Sequence, residues 1–289
     1  MLYKKLRIGI YEYVMLLLVV LATLLRVMLV SQHWPVTNSD EAIMDLMALH
    51  INGRGEHPVF FYGQAYMGPV EAYIGALCFR LFGESVFALR LGLVPFFALF
   101  LVSMYFLTRK LYGKRLALFT VALLCVGSSD MFIRQLKAIG GYPEIPFFGA
   151  FIFFLCCKLA LSSSDLYTQR YEGQKGQRWS RWLLYGLLGL LVGLAVWIDQ
   201  LVAPYVATGL LLLLVFCWRD VFSRSGLVFL LGVVIGVMPL ISYDITAPLD
   251  QNFVLVLLRM HNAGQQSLLG QSMPFLAVQA STSPGSSVS

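Results

Sequence analysis

Residues 13–30 read YVMLLLVVLATLLRVMLV, eighteen positions carrying one charge, Arg26. A helix needs roughly 20 mostly apolar residues to cross the hydrocarbon core of a bilayer. The stretch therefore predicts a membrane span. Lys4, Lys5 and Arg7 precede it, as they would in a signal peptide. After Ser31-Gln32 come His33-Trp34-Pro35-Val36-Thr37-Asn38, with no small-residue cleavage site. The run is expected to remain as a first span, with Arg26 near its far end.

Six further runs of this kind occur, at 86–108, 116–133, 145–161, 183–198, 201–217 and 226–243. The expected fold is all-α: a polytopic transmembrane helix bundle of about seven spans. Its fifth and sixth spans are nearly continuous, split by Asp199-Gln200. Composition agrees. The chain is 58% hydrophobic and 12% charged, with a mean hydropathy of +0.75, whereas soluble domains carry about 25% charged residues. In a soluble protein the net charge of +6 could suggest nucleic acid. Here its distribution along the chain is the better test, and no nucleic-acid partner is expected.

With the amino terminus inside, about two-thirds of the basic residues fall in inner segments, including the clusters Arg109-Lys110, Lys114-Arg115 and Lys175 to Arg181. That is the positive-inside pattern. The acids fall mostly outside: Asp40, Glu41, Asp45, Glu56, Glu71, Glu84, Asp130, Glu144, Asp199, Asp244 and Asp250. Acids contribute little to orientation, so the outer excess needs solvated loops or a site to explain it. The expected localisation is integral to the membrane, a plasma membrane if bacterial, with any active site on the outer face.

Residues 1–245 are expected to form the transmembrane core. Within it, 31–85 is an outer segment too long for a simple turn. It predicts a helix over Asp40 to Ile51, capped by Asn38 or Ser39. A second, over Pro69 to Phe82, is too short to span and suits the interface. The loop 162–181 is Ser-rich and then basic, a cytoplasmic linker suited to anionic head groups. Residues 246–289 read as a short, partly disordered tail. The five cysteines, Cys78, Cys125, Cys156, Cys157 and Cys217, form no CxxC pair and read as small apolar filler.

The densest polar signal is Asn38-Ser39-Asp40-Glu41, just after the first span. Paired acids at a helix start are favoured by the helix field alone, so structure by itself could account for them. Downstream come Tyr62-Gly63-Gln64-Ala65-Tyr66, then Pro69, Phe82-Gly83 and Arg90. The ordered set Arg26, Asp40-Glu41, Pro69, Phe82-Gly83, Arg90 resembles the GT-C superfamily of membrane glycosyltransferases. The likeness is to the branch of the protein O-mannosyltransferases and the lipid A aminoarabinose transferases. It covers roughly 20–245 and is strongest across 26–92. Later, Gly186 to Trp197 and Gly232 to Pro239 are similar to that family's Gly-rich spans. Members commonly continue with more spans and an outer domain, so this chain reads as a compact or truncated form.

The resemblance implies an inverting transfer of a monosaccharide from a polyprenyl-phosphate donor to a protein, lipid or glycan acceptor. It implies Asp40 as general base, with Glu41 orienting it or binding acceptor. A carboxylate in a partly desolvated cleft suits proton abstraction. The leaving phosphate gains charge, which Arg stabilises with a bidentate fork. Arg26 and Arg90 are the expected donor-phosphate ligands, with Arg134 and Lys137 as further candidates. Snorkelling to the interface accounts equally well for Arg26 and Arg90. Tyr62, Tyr66, Tyr142, Glu144 and Asp199 are candidate substrate-binding residues. Glu144 is placed on the rim of the outer cleft, although Gly140-Gly141-Tyr142-Pro143 is also ordinary turn chemistry. His50, Glu56 and His57 offer no helical i, i+4 ligand pair, so no metal site is expected there. GT-C enzymes differ in metal use, and the resemblance leaves a divalent metal open as a cofactor. A transporter or flippase of a lipid-linked or anionic substrate is the main rival, and it would favour inverted repeats and broken helices. A non-catalytic membrane scaffold is the third reading.

Overall fold

The structure is a computed structural model that describes residues 9–168 and 175–248, with 252, 253, 255, 256 and 259. The expectations for the tail beyond 259 and for part of the 162–181 loop lie outside the described residues. The described residues are mainly helical, with no strand among them. In chain order the helices are α1 (Ile10–Ser31), α2 (Ser39–Arg54), α3 (Val70–Phe82), α4 (Val86–Leu91), α5 (Val94–Tyr112) and α6 (Lys114–Val126). Then come α7 (Ser129–Leu136), α8 (Glu144–Thr168), α9 (Lys175–Ile198), α10 (Ala203–Val221), α11 (Arg224–Gly236) and α12 (Met238–Thr246). By compactness the chain divides into Met1–Ile241 and Ser242–Ser289. The first unit holds the packed cores and the candidate site. In the second, the Asp244 carboxylate accepts the Phe253 N–H at 2.8 Å.

Five helical segments are long and apolar enough to cross a membrane: Ile10–Ser31, Val86–Tyr112, Glu144–Ser162, Trp179–Ile198 and Gln200–Val221. The count reaches seven if two bent pairs, α6 with α7 and α11 with α12, each count as one. The expected third span at 116–133 is therefore not a straight helix. It breaks at Gly127-Ser128, and α7 turns away from α6 by 82°. The break is chemical as well as geometric, because Ser128 Oγ accepts the Met131 N–H at 3.3 Å and starts a new helix. The split at Asp199-Gln200 is real: Asp199 caps a single 3-10 turn, Gln200–Val202, before α10 begins. Large apolar side chains such as Leu17, Leu24, Leu123, Leu211, Phe216 and Leu231 stay exposed on the helices. On a soluble monomer such surfaces would drive association; they suit hydrocarbon.

The segment between α1 and α4 folds as a helical pair. Asn38 caps α2 by accepting the Glu41 N–H at 3.4 Å. Gly55 ends it in a left-handed conformation, φ 67°, that costs glycine little. Met44, Met47 and Ala48 of α2 pack on Ala72, Ala76 and Phe79 of α3 and on Leu89 of α4. Leu77, Leu81 and Phe82 of α3 point outward, the amphipathic pattern expected of a helix at an interface.

Two layers make up most of the bundle. Met15, Val19 and Ala22 of α1 meet Phe97, Leu101 and Tyr105 of α5 and Ala117 and Val121 of α6. Ile152, Leu155 and Leu159 of α8 meet Tyr185 and Leu188 of α9 and Leu213 of α10. Helix α11 lies backbone to backbone on α9. A Cβ added to Gly189 would stand 2.0 Å from the Phe229 carbonyl oxygen, and one on Gly232 would stand 2.4 Å from that of Gly186. Small residues at such crossings let helices approach closely where lipid offers no hydrophobic drive. At the end of the bundle away from α2 and α3, Glu12 pairs with Arg109 at 2.9 Å and with Lys114 at 3.2 Å.

Candidate functional site

The start of α2 is tied to the start of the second long span. Arg90 donates from Nε and Nη2 to the two oxygens of Glu41, at 2.7 and 2.6 Å. Both side chains are essentially unexposed. Arg90 also reaches Thr37 Oγ1 at 3.4 Å, and the Ala138 N–H donates to Glu41 at 3.4 Å. This corrects the sequence reading of both residues. Arg90 is committed to an internal carboxylate and does not stand free for a phosphate. Glu41 is a buried anchor joining α2, α4 and the stretch of chain after α7. Its neighbour Asp40, one helical position away, points instead to solvent. Asp40 thus does not sit in a desolvated cleft as expected; any desolvation must come from what covers it.

Arg26 is likewise enclosed, at 0% exposure. Its Nε and Nη2 donate to Gln135 Oε1 at 3.1 and 2.8 Å, and Nη1 donates to the Ala22 carbonyl at 3.1 Å. The guanidinium lies 3.2 Å from the Phe97 ring centroid and 4.3 Å from that of Phe132. A neutral amide, a carbonyl and two aromatic faces therefore hold a full positive charge. The expectation of a phosphate ligand or a snorkelling side chain gives way to an internal cradle, because α7, turned across the bundle, covers the guanidinium.

Beside this cradle is a cleft of about 600 Å³. Helix α5 lines it with Phe100, Met104 and Leu107, α8 with Pro146, Ala150 and Phe153, and α10 with Tyr205. Its polar end carries Asp130, Arg134, Gln135 and Tyr142. The size is that of a small-molecule site. Arg134 pairs with Asp130 at 2.9 Å, one turn earlier on α7, and lies 4.9 Å from the Tyr142 ring. It remains exposed. Lys137, half-buried, ends α7 and has no ion-pair partner among the described residues. Of the four basic candidates, Arg134 and Lys137 are thus the two left available to a ligand.

The connection from α7 to α8 is built on a carboxylate. Glu71, on the first turn of α3, accepts the N–H of Gly140 at 3.0 Å and that of Gly141 at 2.9 Å. Gly140 and Gly141 both have positive φ, 92° and 78°, the left-handed region that glycine enters without steric cost. Glu144 comes three residues later, at 0% exposure, its side chain interacting with that of Glu71. This corrects its expected place on the rim: the Gly-Gly turn aims the first residue of α8 into the protein. Burial, and then the charge of Glu144, hold the Glu71 carboxyl well above the usual carboxylate range. Asp199 packs on Gly141 from the α9–α10 turn, its Cβ 2.8 Å from where a Gly141 side chain would begin. Burial raises Asp199 too. Tyr66 completes the series. Burial raises its phenol, and the carboxylates of Asp199 and Asp40 raise it further. Tyr66 thus lies within the electrostatic reach of exposed Asp40 and half-buried Asp199, and Asp199 within that of buried Glu144.

Tyr62 belongs elsewhere. Its hydroxyl donates to Glu56 and meets His50 Nδ1 at 3.0 Å, near the end of α2. Burial and the Glu56 carboxylate push that phenol up to about 12. His50 is ten residues along α2 from Asp40, about 15 Å at the α-helical rise. Tyr62 is thus separated from the Asp40 end, in a small cluster with Glu56 and Arg54. Among the described residues no three His, Cys, Asp or Glu side chains converge as a metal-ligand set.

Three participants escaped the sequence reading: Glu71, Gln135 and Asp130. A signal existed for Glu71. It is the one acid in a short helix whose only other charge is Arg80, and a Gly-Gly turn elsewhere leaves two N–H groups needing an acceptor. Nothing local marked Gln135 as the partner of a residue 109 positions earlier. Compared with known proteins, the chain matches no family model, no curated protein and no solved structure.

Proposed function

We propose that the chain is a membrane glycosyltransferase that moves a monosaccharide from a polyprenyl-phosphate donor to an acceptor on the outer side of the bilayer. One observation carries the reading: an apolar cleft among apolar helices, ending in an exposed arginine and a tyrosine. An isoprenoid chain suits the Phe100, Met104 and Phe153 walls. A phosphate suits Arg134, whose present partner Asp130 is an exposed i, i+4 acid worth little as an ion pair, and Lys137 lies close along the chain. The GT-C resemblance of residues 26–92 supports the same class. In this reading Asp40 is the base that takes the acceptor's hydroxyl proton. It is free of side-chain partners among the described residues and becomes desolvated when the acceptor covers it. Tyr66 and Asp199 bind acceptor beside it. The phosphate leaves with its charge met by Arg134.

The test is transfer of a radiolabelled sugar from purified polyprenyl-phosphate donors by the full chain in lipid. Asp40→Asn should abolish transfer while melting like the parent. Full transfer by the Asn variant would remove Asp40 from the chemistry, and no transfer from any donor would remove the enzyme reading.

A second reading, carriage of a lipid-linked anion, draws on the 82° break between α6 and α7, since broken helices line substrate sites in transporters. Movement of a labelled lipid between leaflets, with no sugar product, would favour it.

A further inference from the structure

Glu71 and Glu144 are both buried carboxylates, at 1% and 0% exposure. Glu71 receives two backbone N–H groups. No N–H from another residue donates to either oxygen of Glu144. Neither residue has an ion-pair partner among the described residues. The next acid in the field of Glu144 is Asp199, which adds like charge. Two ionised carboxylates cannot rest against each other here without a counter-charge.

The other titratable groups nearby do not supply one. Asp199 faces the pair from the α9–α10 turn, and Tyr66 stands beyond it on the loop before α3. Across residue 138, Glu41 is already matched to Arg90. Lys137 and Tyr142 sit on the pair's own loop, with Tyr142 turned to Arg134. Missing, then, is one donor between two acceptors, and a proton supplies it.

We propose that Glu71 and Glu144 form a proton-binding dyad, in which two buried carboxyl groups share a single proton. In this state one carboxylic O–H donates to the other carboxylate. The remaining single negative charge is shared by the pair, and the Gly140 and Gly141 N–H groups solvate it from the side of Glu71. A proton taken from water adds one O–H bond, and its release returns a hydronium ion; no other reactant is needed. The dyad does not depend on the glycosyl-transfer reading, and it fastens the α7–α8 connection that carries Lys137 and Tyr142.

The test is infrared spectroscopy of the purified full chain across neutral and alkaline pH. The expected result is a neutral carboxylic-acid C=O band at neutral pH, lost on alkalinisation and absent from both Glu71→Gln and Glu144→Gln. No such band at neutral pH, or one surviving in either variant, overturns the proposal. Thermal midpoints give an independent readout. The native dyad holds a proton that the unfolded chain releases at lower pH. Stability is therefore full in acid and lost as pH rises through the dyad's titration. The parent's midpoint should fall with rising pH more steeply than that of Glu144→Gln. Equal slopes overturn the proposal. So does an alkaline loss that Na⁺ reverses and choline does not, because the pair would then hold a metal cation. Should Glu71→Gln fail to fold, Glu144→Gln alone decides, since the band must vanish with either member.

Discussion

Arg90 grips both oxygens of Glu41 across 49 residues of sequence, with neither side chain reaching solvent. Breaking a buried pair from one side leaves an uncompensated charge, which costs about 3–5 kcal/mol. Glu41→Gln and Arg90→Met should each lower stability by that order in denaturant or thermal unfolding. Asp40→Asn, next door but exposed, should stay within about 0.5 kcal/mol of the parent. Comparable losses for residues 40 and 41 would contradict the division of roles between them.

Arg26 and Gln135 form the second test. Gln135→Leu removes the acceptor of two guanidinium N–H groups and should destabilise by about 3 kcal/mol, as for other unpaired buried charges. The double variant Arg26→Met with Gln135→Leu removes the charge as well and should recover most of the loss. A double-mutant cycle showing simple additivity would mean that the two residues do not depend on each other.

The α9–α11 crossing makes a graded prediction. A methyl at Gly189 meets a carbonyl at 2.0 Å, whereas one at Gly186 meets only the Val228 Cγ1, at 3.2 Å. Gly189→Ala should cost about 1–3 kcal/mol by forcing the helices apart. Gly186→Ala should be nearly silent. The comparison of thermal midpoints is the check, and equal effects would refute the close crossing.

The cleft can be filled from within. Ala150 lines it on α8, and Ala150→Phe should displace a bound isoprenoid while leaving the helical content unchanged. Thermal stabilisation by a polyprenyl phosphate, clear in the parent, should drop by about tenfold in apparent affinity, a change of about 1.4 kcal/mol. Undiminished stabilisation would place the lipid elsewhere.

Sequence reading and structure agree where local chemistry decides. The Asn38 cap, the Pro69 and Gly83 borders of α3 and the Asp199 break were all legible, because each depends on residues within a turn of one another; the end of α2 was set at Ile51, three residues short of Arg54, because Gly55 was not read as its stop. The span at 116–133 failed for a related reason. Hydropathy continues across Gly127-Ser128, but the backbone does not, and Ser128 was not read as a cap. At the site, residue types were legible and partnerships were not. Arg26, Arg90 and Glu41 were recognised as unusual charges, yet each is satisfied by a group tens of positions away. Only the fold could show that Arg134 and Lys137 are the cations left over. Glu144 was misplaced because the turn before it reads the same whether the helix begins facing water or the interior.

Helix α7 is only eight residues long, yet adjacent positions on it serve different neighbours: Gln135 holds Arg26, and Arg134 stands at the cleft mouth. Successive side chains on a helix point about 100° apart, so one short rod cannot rock without moving both. Whatever enters the cleft and draws Arg134 toward it will tug on the amide beneath Arg26, and through it on the first span. The 82° bend has thus made α7 a lever, with the cleft at one arm and α1 at the other.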